Sequence, residues 1–124
     1  MKILSIDLAK ACYEKVKNVP EGQKQDYRRK VDGLGSMIIK NGLYATLLFL
    51  RSKSDDSNKD AGELLCEHIR DIVKQFQGIE IKLEDAEMFA DFCSHEYIQT
   101  QKFVLEVVKW LKRYARILIP KEAR

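Results

Sequence analysis

Two cysteine–histidine pairs hold the residue types best suited to chemistry. Cys66-x-His68 and Cys93-x-His95 offer two thiols and two imidazoles, nominally a zinc set. Residues two apart on a helix point in different directions, so neither pair chelates from within its own helix. The pattern fits core cysteines beside surface histidines, with no metal bound. Gly33-x-Gly35 is a fragment of a phosphate loop, without the third glycine, the preceding strand or the Lys-Ser ending. Glu84, Asp85, Glu87 and Asp91 carry carboxylates that could hold a cation, but acidic residues in the first turn of a helix are explained by the helix dipole. Neither histidine sits in a nucleophile–base arrangement. The expectation is a protein without catalysis, metal or cofactor.

The charge pattern is more informative. The net charge over 124 residues is only +3. Residues 1–53 hold 11 Lys/Arg against 5 Asp/Glu, residues 54–96 hold 4 against 12, and residues 97–124 hold 7 against 2. Both ends are basic and the middle is acidic, which suggests an anionic partner on one face. The competing explanation is a patchwork surface whose charges pair internally. The sharpest feature is VVKWLKRYARIL, residues 107–118. At about 100° per residue, Lys102, Lys109, Lys112, Arg113 and Arg116 fall within one arc of about 100° on a helix. Phe103, Val104, Val107, Val108, Trp110, Leu111, Tyr114, Ala115, Ile117 and Leu118 cover roughly the opposite half. Only Glu106 dilutes the stripe, although exposed helix faces usually mix Glu with Lys. Trp110 falls in the apolar arc and reads as a core anchor. Tyr27-Arg28-Arg29-Lys30 is a second basic cluster, and Lys40, Arg51 and Lys53 flank a central apolar stretch. Cations so placed suit phosphate contacts that depend on salt and carry no sequence information.

These side chains need elements to hold them. The length fits one domain with a real core. Three cysteines, none in a C-x-x-C pair, argue for reduced thiols rather than a disulfide framework. No apolar run is long enough to cross a membrane and no secretory leader is evident, so a soluble, cytoplasmic protein is expected. Residues 5–18 read as a helix capped by Ser5, with Leu8, Ala9, Cys12, Tyr13 and Val16 on one face. Tyr27, Val31, Leu34 and Ile38 define a second helix, which Gly33 and Gly35 interrupt. MIIKNGLYATLLFL has two readings: a hairpin turning at Asn41-Gly42, or a helix C-cap there followed by a short buried helix over 43–52. In the second reading Leu43, Tyr44, Leu47, Leu48 and Leu50 form the packing set. SKSDDSNKDAG, residues 52–62, reads as a surface loop. Asp60-x-x-Glu63 resembles a capping box, Leu65, Ile69, Ile72 and Phe76 follow as a helical stripe, and Gly78 ends it. IEIKL, residues 79–83, alternates like a short strand. Residues 84–94 read as a short helix with Ala86, Phe89, Ala90 and Cys93 inward. Thr100 caps the last helix and Pro120 stops it.

Taken together, GSMIIKNGLYATLLFL and the late T-x-x-x-V-L-x-x-x-x-WLKRYAR resemble the small subunit of the Cmr complex, the type III-B CRISPR effector. In that family an apolar helix leads into N-G-L and an apolar stretch with Phe-Leu and a basic residue, here Asn41, Gly42, Leu43, Phe49, Leu50 and Arg51. Its closing helix carries W-L-K-R, an aromatic and Ala, here Trp110, Leu111, Lys112, Arg113, Tyr114 and Ala115. The Ala9 and Tyr13 spacing in the first helix is also similar. Two departures stand out: Gln101 follows Thr100 where the family often has Glu, and Gly33 and Gly35 stand where a proline is common. The resemblance implies an all-α fold, a compact single-domain bundle of about six helices, and so favours the helical reading of residues 36–50. It implies a non-catalytic subunit whose partners are the other Cmr complex subunits and the guide RNA and target RNA, with self-association along the filament and no membrane. The family match carries Lys112 and Arg113 as RNA-binding residues. Lys102, Lys109 and Arg116 join them by helical position, and Lys40 and Arg51 by flanking N-G-L. The alternative is a helical protein–protein adaptor without direct RNA contact.

Overall fold

The structure, a computed structural model, describes residues 2–52, 60–84 and 94–121. Among them the regular elements are α1 (Lys2–Lys17), a 3-10 turn (Glu21–Gln23), α2 (Lys24–Asn41), α3 (Leu43–Ser52), α4 (Ala61–Gln77) and α5 (Ser94–Leu118). The fold is all-α, with five α-helices among the described residues rather than about six. The short helix expected over 84–94 falls almost wholly outside the described residues, as do Lys53 and most of the expected 52–62 loop.

α1 starts upstream of Ser5, which therefore lies inside the helix and caps nothing. It buries Leu8, Cys12 and Val16, one residue per turn. α2 runs unbroken through Gly33 and Gly35. Each glycine costs a helix about 1 kcal/mol, and burial of one large apolar side chain returns about 1.5–3 kcal/mol. Val31, Leu34 and Ile38 are fully buried around them, so packing wins. Gly35 faces α5, where a methyl group in its place would stand 4.0 Å from Val108 Cγ1.

Asn41-Gly42 ends a helix and makes no hairpin. Gly42 has φ 87° and ψ 159°, and its N–H donates to the Ile38 carbonyl at 2.7 Å. That backbone region belongs essentially to glycine. α3 begins at the next residue, with Leu43, Leu47 and Leu50 buried at helical spacing. Leu48, expected in that packing set, is on the exposed side with Phe49.

The Asp60 side chain accepts from the Glu63 N–H at 2.9 Å, which caps α4 as the sequence pattern predicts. Gly78 ends the helix in the left-handed conformation, φ 68°. Leu65, Ile69 and Ile72 are fully buried and Phe76 partly so. Gly62 is where α4 meets α3: a side chain there would come within 2.8 Å of the Leu50 carbonyl oxygen.

Residues 79–83 form no strand. Their alternation is a burial pattern, with Ile81 and Leu83 inward and Glu80 and Lys82 outward. Arg70 Nε donates to the Ile81 carbonyl at 2.9 Å and ties this extended segment to α4. It lacks a ladder because no neighbouring strand among the described residues offers one.

α5 starts well before Thr100, which is 1% exposed within it and so is no cap. The helix stops ahead of Pro120 as expected, and the Pro120 carbonyl accepts from Gln25 Nε2 at 2.7 Å. α5 packs chiefly along α1 and α2, and also on α4. Its buried line is Thr100, Val104, Val107, Val108, Leu111 and Ala115. Ile117, assigned to the apolar arc by position, is 71% exposed, because the core face is narrower than half the helix. No helix among the described residues is long and apolar enough to cross a membrane.

Candidate nucleic-acid interface

The basic stripe of α5 forms a ridge. Lys102, Lys109, Arg113 and Arg116 are exposed and Lys112 is half-buried. The helix holds them together because its opposite side is pinned by core contacts with α1, α2 and α4. From Lys102 to Arg116 the ridge is about 21 Å long at 1.5 Å per residue.

The ridge is not free of acids. Lys109 Nζ stands 3.4 Å from Glu106 Oε1 one turn back, and Arg116 Nε donates to Asp32 Oδ1 of α2 at 3.3 Å. Both pairs are well exposed, and such pairs contribute about 0–1 kcal/mol. Arg113 lies over the Trp110 ring, 5.4 Å from its centroid. Lys102 and Lys112 have no carboxylate partner among the described residues. The stripe, expected to be diluted by Glu106 alone, thus holds two cations without acids, one on an aromatic ring and two in weak ion pairs, one of them to Asp32 of α2. Glu106 was visible at i−3 from Lys109; Asp32, distant in sequence, was not.

The two flanking cations lie on α2 and α3. Lys40 is exposed in the last turn of α2. Arg51 is bound to Glu84 at 2.6 Å, beside Leu83. The Glu84 carboxyl is held below the ordinary range, first by a backbone hydrogen bond and then by Arg51. In the 27–30 cluster Tyr27 is fully buried, and Arg29 and Lys30 both reach Asp26, at 2.6 and 3.6 Å. One carboxylate, that of Asp26, thus serves two of the cluster's three cations.

Trp110 is half-buried, not a core anchor. Its ring stacks obliquely on Tyr114 with centroids 6.4 Å apart, and Tyr114 meets Tyr13 of α1 edge-on at 5.5 Å. Two further side chains escaped the sequence reading. Gln101 Oε1 accepts from the Leu43 N–H at 2.9 Å, and the Tyr97 hydroxyl accepts from the Tyr44 N–H at 3.0 Å. Helix α5 thereby caps α3 in trans. No local pattern announces a cap that comes from 53 to 58 residues away.

The cysteine–histidine pairs form no metal site among the described residues. Cys93 and the side chain of His95 lie outside those residues, as do Asp85, Glu87 and Asp91. Cys66 is buried, and so is His68, contrary to the expected surface position. His68 Nδ1 is 2.7 Å from the Tyr27 hydroxyl, a hydrogen bond that satisfies both buried groups. Burial lowers the His68 pKa to about 4, with Lys15 adding to the effect and Asp71 opposing it. Burial also raises the thiols, Cys12 to about 12 and Cys66 to about 11, which leaves both inert at neutral pH. Among the described residues no group of three His, Cys, Asp or Glu is placed to hold a metal.

Comparison with known proteins agrees with this architecture. Residues 4–118 match the model of the family described as CRISPR-associated protein (Cas_Cmr5). The chain is 39% identical over 119 residues to the CRISPR system Cmr subunit Cmr5 of Thermotoga maritima, covering 96% of this chain and 87% of that protein. It superposes on the crystal structure of a CRISPR-associated Cmr5 family protein from Thermus thermophilus with a TM-score of 0.74 at 25% identity, over 93% of this chain and 96% of that one.

Proposed function

The chain belongs to the Cas_Cmr5 family of CRISPR-associated proteins, and from that premise we propose that it is a non-catalytic small subunit of a Cmr ribonucleoprotein effector. Its partners are the other Cmr subunits and the guide and target RNA, and its setting is the cytoplasm. In this reading the chain is a single helical domain, and the α5 ridge lies along the sugar–phosphate backbone of the guide–target duplex.

The observation that carries the reading is the alignment of Lys102, Lys109, Lys112, Arg113 and Arg116 on one flank of one rigid helix. A straight row of cations suits a polyanion with regularly spaced charge. It suits readout of A-form shape and backbone rather than of bases. The two ion pairs in the row are weak enough for phosphate to displace. Lys40 and Arg51 stand on α2 and α3 rather than on α5; Lys40 is retained as a peripheral contact and Arg51 as a residue that must first leave Glu84.

The test is binding of duplex RNA by the chain and by its Lys109→Ala/Lys112→Ala/Arg113→Ala/Arg116→Ala variant across a salt series. The logarithmic salt slope is expected to flatten by about one for each cation that no longer meets a phosphate. Helix content and melting temperature should hardly change, since exposed cations contribute little to stability. An unchanged affinity and slope would remove the ridge from consideration.

A second reading has its own support. Glu106 and Asp32 already show that the ridge accepts carboxylates, so an acidic protein surface could occupy it instead. Cross-linking from Lys112 inside the assembled effector separates the two. RNA adducts support the duplex, and protein adducts alone support the adaptor.

A further inference from the structure

Beside the ridge, between α1 and α5, lies an open groove of about 570 Å³. Its floor and walls are Ala9, Tyr13, Trp110 and Tyr114, with Ile6 at the lip. Ile6 is 68% exposed, and Ile117, two turns from Trp110 on the same side of α5, is 71% exposed. Large aliphatic side chains left so bare beside half-buried aromatic rings mark a contact surface. The side chains nearest the rings on the rim are cations, with Asp7 and Glu14 beside Lys10 on its outer side. Lys10 lines the groove, Lys17 Nζ sits 5.7 Å from the centroid of the Tyr13 ring, and Arg113 lies over Trp110. Lys10, Lys17 and Arg113 have no carboxylate partner among the described residues.

We propose that this groove seats an apolar side chain projecting from an acidic segment of a partner protein. The apolar floor offers burial to a leucine or phenylalanine, and the cationic rim offers charge pairing to carboxylates on either side of it. An aromatic anchor in a pocket ringed by charged residues is the usual arrangement of a binding hot spot. A nucleobase fits less well. The Trp110 ring already meets Arg113 and Tyr114, and the apolar walls present few groups to hydrogen-bond a base edge. The groove borders the ridge at Arg113, so one helix serves two ligands: RNA along its basic flank and protein along its aromatic flank. The two surfaces share Arg113, but Ile6, Ala9, Lys10 and Tyr13 take no part in the ridge, so this second role can be tested apart from the first.

Trp110 is the only tryptophan in the chain, so its emission reports occupancy directly. The full chain is titrated with a short blocked peptide of Glu and Asp around a central Leu-Phe pair. A saturable change in emission is expected, with a Kd below about 1 mM. The Ile6→Ser variant and the Lys10→Ser/Lys17→Ser variant should each bind at least about ten-fold more weakly. Both substitutions fall on exposed or rim positions and leave Trp110 in place as reporter. Peptides with Lys for each acid, or with Ser for the Leu-Phe pair, should give no saturable change. An equal response to the lysine peptide, or no saturation with the acidic one up to about 1 mM, overturns the proposal. So does a stronger response to single-stranded oligouridine that Ile6→Ser abolishes, which makes the groove a base site. A peptide-independent emission change that tracks dimer formation by sedimentation overturns it too, in favour of a second copy.

Discussion

Gln101, in the structure's longest helix, holds the first N–H of another helix: its Oε1 accepts from Leu43 at 2.9 Å. α3 follows α2 with only Gly42 between them; Gly42 takes the N-cap position, its carbonyl accepting from the Thr46 N–H at 3.2 Å, but it has no side chain to cap the first N–H groups. Gln101 and Tyr97 take that role from across the fold. Gln101→Leu should therefore cost about 1–2 kcal/mol, the usual loss when a cap is removed and an N–H is left without a partner. Gln101→Glu keeps the acceptor and adds a negative charge at a helix N-terminus, which is worth about 0.3–1 kcal/mol. Chemical denaturation should rank the two variants on opposite sides of the parent chain. Equal destabilisation by both would mean that the contact is incidental.

Gly42 makes the second prediction. Its φ of 87° strains any other residue, and an added Cβ would stand 3.2 Å from the Tyr97 hydroxyl. Gly42→Ala should lose about 1–3 kcal/mol from backbone strain. It should also weaken the Tyr97–Tyr44 bond, so Gly42→Ala and Tyr97→Phe should be less than additive in a double-mutant cycle. Full additivity would separate the two effects.

The buried Tyr27–His68 pair gives a pH dependence. The His68 pKa falls from 6.5 in the unfolded chain to about 4 in the fold. Between those values the unfolded state binds more protons, so stability drops as pH falls from about 6.5 towards 4 and levels off below that. A shift of this size corresponds to roughly 3 kcal/mol at most. The Lys15–Asp71 ion pair beside the ring acts in both directions and leaves burial as the main cause. Melting curves from pH 7 to 4 should show the drop in the parent chain and a much flatter profile in His68→Gln. Tyr27→Phe should cost about 1–3 kcal/mol at pH 7 by leaving the ring nitrogen unpaired.

What the sequence made legible was periodic or local. The buried stripes of α2 and α4, the Asp60 cap and the Gly78 stop all follow from spacing within one element. The errors came where a contact from elsewhere decides. Ser5 and Thr100 have the chemistry of caps but sit inside longer helices, since α1 begins at Lys2 and α5 at Ser94. Gly33 and Gly35 lower helix propensity, yet α2 continues because its other side chains are buried. Ile79–Leu83 alternates in burial without pairing, since periodicity reports which side faces the core and says nothing about a ladder partner. The composition of the ridge was legible in full, but its ion pair with Asp32 crosses two helices and leaves no mark in the sequence.

That pair leads to the last prediction, which separates the ridge cations by what they must give up. In the proposed contact Lys102 and Lys112 would meet phosphate without first leaving an acid, whereas Lys109 would have to leave Glu106 and Arg116 to leave Asp32. Neutralising the acids should therefore strengthen RNA binding. Glu106→Gln and Asp32→Asn each remove a competing carboxylate and add one unit of positive charge next to the polyanion. Each exposed pair is worth about 0–1 kcal/mol, so an affinity gain of up to about five-fold is expected at low salt. The gain should shrink as salt rises, because counterions screen the same carboxylates. Lys112→Ala should reduce affinity more than Lys109→Ala in the parent chain, and the two should become similar in the Glu106→Gln background. If Glu106→Gln and Asp32→Asn leave RNA affinity unchanged while Lys112→Ala lowers it, Lys109 and Arg116 lie outside the contact and the ridge is shorter than the helix suggests.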